Sequence, residues 1–92
     1  MNVIGSIRQK IADGDYEIAV PHFFEAMADD NLDLIDVEAA IGNGRVIRRF
    51  TKDVRGTRYE VVGNAIDGRT IGIICRIKES GKVLLITVYE IE

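Results

Sequence analysis

The chain has 92 residues, 47% of them hydrophobic and 29% charged, with a formal net charge of −3. That length fills one core rather than two, and the balance of apolar and charged residues excludes an intrinsically disordered chain. A single cysteine excludes an intrachain disulfide, and one cysteine with one histidine falls short of the three or four ligands of a usual zinc site, so no metal is expected. In chain order, Ile4, Ile7 and Ile11 recur at helical spacing, and residues 3–12 read as a short amphipathic helix stopped by Asp13-Gly14-Asp15. Tyr16, Ile18 and Val20 then alternate with Asp15, Glu17 and Ala19, the pattern of a brief extended segment or an edge strand.

Pro21 holds Val20 extended and favours a helix starting at Pro21 itself, with Phe23, Phe24 and Met27 on its apolar face over about residues 21–30. Asp33 suits the cap of a third helix, with Asp36 at the capping-box position, where a Glu would reach better. Leu34, Val37 and Ile41 share one face of that helix, and Gly42-Asn43-Gly44 ends it.

After Gly44 the hydrophobic period changes to two. Strands are expected at about 45–52, 57–64, 69–77 and 82–91, with turns at Arg55-Gly56, Asp67-Gly68 and Ser80-Gly81. Such short links join antiparallel neighbours, so the expected fold is α+β in a single domain over 1–92. Two to three N-terminal helices pack on one face of a four-stranded antiparallel meander. The opposite face is left for a site or a subunit interface. The longest apolar runs, Val83–Ile86 and Ile71–Cys75, are far shorter than the roughly 18 residues of a membrane span. Met1 to Lys10 has no signal-type apolar stretch, so no membrane contact and a cytoplasmic location are expected. Cys75, inside an apolar run, is expected to be a buried, inert thiol.

Charge is segregated along the chain. Asp13 to Gly44 holds nine acids and no Lys or Arg, whereas Arg45 to the end holds ten basic residues against six acids. Arg45, Arg48, Arg49, Lys52, Arg55 and Arg58 form the densest run, opposed only by Asp53. Arg45, Arg48, Arg49 and Arg58 are therefore candidate ligands for phosphate or an RNA backbone. The plainer account makes them the solvated edge of a sheet or partners of the acidic helices, and the low overall pI of about 5.1 sits better with it. Two copies docking acidic helices against basic strands would use both poles.

His22, the sole histidine, stands at a helix start, where the helix dipole favours the neutral imidazole over the cation. Thr87 and Tyr89 fall on one side of the last strand, with Val83, Leu85 and Ile91, and Tyr89 could donate a proton or orient a phosphate. His22, Thr87 and Tyr89 are thus the candidate catalytic groups, with a surface histidine and an ordinary strand tyrosine as the plain alternatives. A two-histidine ribonuclease mechanism is excluded by the count. Gly42-Asn43-Gly44 lacks the pattern of a phosphate loop, and no cofactor is expected.

The run His22-Phe23-Phe24-Glu25-Ala26-Met27, then Leu32, the helix Asp36-Val37-Glu38-Ala39-Ala40-Ile41, Gly44 and the closing Ile86-Thr87-Val88-Tyr89 resembles a bacterial family known as domain of unknown function 4258. The resemblance covers about residues 16–91. The family's layout is similar to that of small toxins of the RelE, ParE and BrnT type. It implies that His22, Thr87 and Tyr89 line a shared face with Arg45, Arg48 or Arg49 nearby. The chain departs from the family pattern at Ala26, where an arginine is usual, and at Gly72, where a histidine is frequent. Phosphodiester cleavage needs a base, an acid and cationic stabilisation, so both departures remove useful groups. The expectation is a non-catalytic interaction protein of toxin-like ancestry, forming a homodimer or pairing with a small antitoxin-like protein. The alternative is a RelE-like toxin that binds RNA or cleaves it, and whether the chain is an enzyme is left open.

Overall fold

The computed structural model describes residues 2–92. Three helices, α1 (Val3–Ala12), α2 (His22–Asp29) and α3 (Leu34–Asn43), precede or interrupt five strands. The strands are β1 (Tyr16–Ile18), β2 (Arg45–Phe50), β3 (Arg58–Asn64), β4 (Thr70–Ile77) and β5 (Val83–Glu90). They form one sheet in the order β1-β5-β4-β3-β2. No helix among the described residues is long and apolar enough to cross a membrane.

The α+β class holds, but the sheet has five strands and is mixed, which corrects the expected four-stranded antiparallel meander. The short segment after α1 joins the sheet as β1, parallel to β5, with Tyr16 opposite Val83 and Ile18 opposite Leu85. Only tertiary contact could recruit it, since a three-residue strand has no stability alone. Lys78 donates to Glu17 at 2.9 Å and Lys82 to Asp15 at 3.1 Å, so two ion pairs pin the segment to the hairpin before β5. The remaining strands do form the expected antiparallel meander.

Local chemistry explains most boundaries. Asn2 caps α1 by accepting the Gly5 N–H at 2.9 Å. Pro21 precedes α2 rather than opening it, so His22 is the first helical residue. Asp36 accepts the Asp33 N–H at 2.9 Å and, through its other oxygen, the Ile66 N–H at 3.1 Å. The shorter side chain thus reaches back to the cap and ties α3 to the β3–β4 turn. The helix runs through Gly42 and Asn43 and stops at Gly44. Gly44 has ordinary negative φ; its need is space, because a Cβ there would collide with the carbonyls of Ala40 and Val62. Arg8 of α1 donates to the carbonyls of Ile41 and Gly44 and so closes the end of α3. Gly56, Gly68 and Gly81 take positive φ in the three hairpin turns, as the turn chemistry predicts.

All three helices lie on one sheet face. Ile7, Phe23, Val37, Ala40 and Ile41 are buried there against Val61, Ile71, Ile73, Cys75, Val83, Leu85 and Val88. Register breaks in β5: Ile74 pairs with Thr87 but Cys75 with Leu85, leaving Ile86 as an extra residue. The bulge reverses the side on which later residues fall. Val88 therefore enters the core, while Thr87 and Tyr89 turn to the helix-free face, opposite Val83 and Leu85. This corrects the sequence reading that put all of them on one side.

Candidate functional site

The helix-free face is built from alternate residues of β2 to β5. Register sets Arg45 beside Val62, Gly72 and Tyr89, and Arg48 beside Glu60, Ile74 and Thr87. A third row holds Phe50, Arg58, Arg76 and Leu84. Three of the four candidate arginines, Arg45, Arg48 and Arg58, therefore belong to one face. Arg49 pairs with Tyr59 and stacks 5.7 Å from its ring centroid on the helix side.

Gly72 decides what Tyr89 does. The Tyr89 ring lies flat across it, with ring atoms 2.6 Å from where a Cβ would stand. The ring thereby crosses β4, and its hydroxyl donates to the Glu60 carboxylate on β3. Glu60 is only 7% exposed, and Arg48 sits 3.3 Å from its other oxygen. A buried carboxylate needs such partners, and here a phenol and a guanidinium supply them. Arg48 and Arg58 also cover the Phe50 ring, at 5.8 and 5.4 Å from its centroid.

His22 joins Thr87 and Tyr89 at the β5 edge of this face. They line a groove of about 440 Å³ between α2 and the second half of β5, together with Glu25, Ala26, Asp29 and Asp30. Beyond the short β1 this stretch of β5 has no strand neighbour on that side, and α2 takes its place. Asp30 accepts the Glu90 N–H at 2.7 Å and so caps the open edge. The groove holds three carboxylates and no arginine or lysine. Its field favours cations and opposes a phosphate chain. The three candidate catalytic residues are brought together; no arginine lines the groove, and the Tyr89 hydroxyl is turned to Glu60, which it shares with Arg48.

Sequence reasoning passed over Glu60 and Arg76. Period-two alternation from the buried Val61 and Cys75 places both on the open face, and a charged residue interrupting an apolar strand was the available signal. At the β2–β3 loop, Asp53 binds Arg55 through both oxygens, at 3.1 and 3.2 Å. The Arg55 guanidinium and backbone N–H hold the Asp53 carboxyl below its usual range, and Asp53 in turn raises Arg55.

Residues 21–90 match the model of a family described as a domain of unknown function, DUF4258. No curated protein and no solved structure matches the chain.

Proposed function

Because this chain belongs to the DUF4258 family, whose description assigns no activity, we propose its function from geometry: a non-catalytic interaction domain whose open sheet face takes an acidic segment of a protein partner. The observation that carries the reading is how the polar groups of the open face are engaged: the Tyr89 hydroxyl and Arg48 both bind the buried Glu60. His22, the other proton carrier, sits apart from that contact in the acidic groove. A cleavage site would need a base, an acid and a cation directed at one substrate rather than at a buried carboxylate. A binding face needs only positive charge and some apolar surface, which Arg45, Arg48 and Phe50 provide.

The partner is a different protein rather than a second copy. A second copy would offer its acidic helices to the basic face. That contact is head-to-tail and leaves one acidic and one basic pole free, so it closes only in a ring and otherwise polymerises. A separate small protein with an acidic tail satisfies the face once. Glu60 and Asp53 punctuate the arginines, a pattern that suits discrete carboxylates better than a continuous phosphate chain. Helices stacked on one side of a meander, with a bare basic face opposite, are also the support for a toxin-like ancestry of the RelE type.

The test is fluorescence anisotropy with an oligoglutamate peptide and a single-stranded RNA oligonucleotide, each titrated at several salt concentrations. The peptide is expected to bind, to weaken as salt rises, and to lose ~10-fold in affinity in the Arg45→Gln, Arg48→Gln double variant. RNA binding with cleavage that His22→Ala or Tyr89→Phe abolishes would replace this reading with the endoribonuclease one.

A further inference from the structure

At the end of the open face away from Arg45, the β2–β3 loop leans over the sheet and closes a small hollow of about 140 Å³. Its rim carries Arg55 from the loop, Arg58 from β3 and Arg76 from β4, and Ala19, Leu84 and Ile86 supply apolar walls. Three guanidinium groups meet one carboxylate, Asp53, which gives the hollow a formal charge of +2.

The hydrogen bonds do not use up this charge. Asp53 is committed to Arg55 by two side-chain bonds and to the Arg55 backbone N–H at 2.9 Å. Arg58 Nε lies 3.4 Å from Asp53 Oδ2, which already accepts from Arg55; the nitrogen is buried, yet it makes no hydrogen bond among the described residues. Arg76 donates once, from Nη1 to the Arg55 carbonyl at 3.0 Å. Arg58 and Arg76 also stand directly opposite each other across the β3–β4 ladder. Like charges in that position repel, whereas the nearby hairpin lysines are matched to acids, Lys78 to Glu17 and Lys82 to Asp15. A bound anion between them turns the repulsion into two attractions.

We propose that the hollow among Arg55, Arg58 and Arg76 is a binding site for a single phosphate group, either free orthophosphate or the terminal group of a phosphomonoester. Donors approach from three separate elements, and a tetrahedral oxyanion offers them three or four oxygens pointing in different directions where a planar carboxylate offers two in one plane. A dianion also matches the +2 charge. The volume lies well under the roughly 300 Å³ at which pockets for drug-sized ligands begin, so only the phosphate enters and any ester substituent stays outside. The site adjoins the proposed partner face but does not depend on it, because Arg45 and Arg48 take no part.

The full chain is titrated with inorganic phosphate, with a small phosphomonoester and with acetate, at constant ionic strength, while the arginine Nε–H resonances are followed by NMR. Saturable shifts of Arg55, Arg58 and Arg76 with phosphate, and none with acetate, are expected. The two phosphate arms decide whether a free or an esterified group binds better. Arg76→Gln and, separately, the loop variant Arg55→Gln should each weaken binding by ~10-fold, whereas Arg45→Gln leaves it unchanged. Shifts that rise linearly without saturation, equal shifts with acetate, or equal losses for Arg45→Gln and Arg55→Gln would each overturn the assignment. Arg55 is 70% exposed at its side chain, so its variant reports binding even if Arg76→Gln fails to fold.

Discussion

Gly72 and Tyr89 behave as one unit at the scale of single residues. The ring occupies the space that any Cβ at Gly72 would take, and its hydroxyl satisfies the buried Glu60. Gly72→Ala must displace the ring, which strands Glu60 without its phenol donor. Overpacking of this kind costs about 1–3 kcal/mol. Tyr89→Phe removes a hydrogen bond to a charged group, a loss of about 1.5–3 kcal/mol. Since both changes break the same contact, the double variant should lose clearly less than the sum, as measured by urea unfolding of all four proteins. Additive losses would mean that the ring and the glycine act independently. From sequence, Gly72 registers only as a histidine missing from the family pattern. What the glycine admits depends on a cross-strand neighbour, and that neighbour is set by a bulge at Ile86 which no local propensity announces.

Among the elements, β1 is the one held chiefly by long-range contacts. Its alternation of Tyr16, Glu17 and Ile18 is visible in the sequence, and an extended segment was expected there. Its parallel partner is not visible, because β5 lies more than sixty residues away and parallel pairing leaves no turn signature. The hairpins are the opposite case: Gly56, Gly68 and Gly81 are placed by local backbone need, and positive φ at each follows from composition alone. Hydrogen bonding to Lys78, then its charge, holds the Glu17 carboxyl below the ordinary glutamate value of 4.5. A carboxyl lowered in the folded state adds stability above its unfolded value, and loses it as pH falls through the folded one. The β1–β5 pairing should therefore loosen on acidification below about 4.5, and Glu17→Gln should remove that dependence. Exchange of the Ala19 amide, bonded to the Leu85 carbonyl at 2.9 Å, reports it directly. Exchange that is equally pH-sensitive in Glu17→Gln, after correction for intrinsic rates, would separate the ion pair from the strand.

For the whole molecule, one continuous cluster of buried side chains joins all three helices to the sheet, with Phe23 and Cys75 both fully shielded from solvent. This part of the architecture was the most readable in the sequence, since the change of period at Gly44 and the stripes of Ile7, Phe23 and Val37 already call for helices on one sheet face. The candidate site was less readable, because charge order along the chain does not say which arginines share a face, and Arg49 departs from its neighbours only through register. A shared cluster implies that helices and sheet unfold together. Burial pushes the Cys75 thiol up to about 12, so at pH 8 the native chain presents neither thiolate nor access to an alkylating reagent. Alkylation of Cys75 in urea should then follow the same curve as far-ultraviolet circular dichroism. Phe23→Ala, on the helix side of the cluster, should cost about 3–5 kcal/mol. A domain of this size has only about 5–15 kcal/mol of stability in hand, so that loss should move both curves to much lower urea. If Phe23→Ala melts the helical signal while Cys75 stays protected, the helices and the sheet are separate cooperative units, and the open face would have to be held in shape without the layer packed behind it.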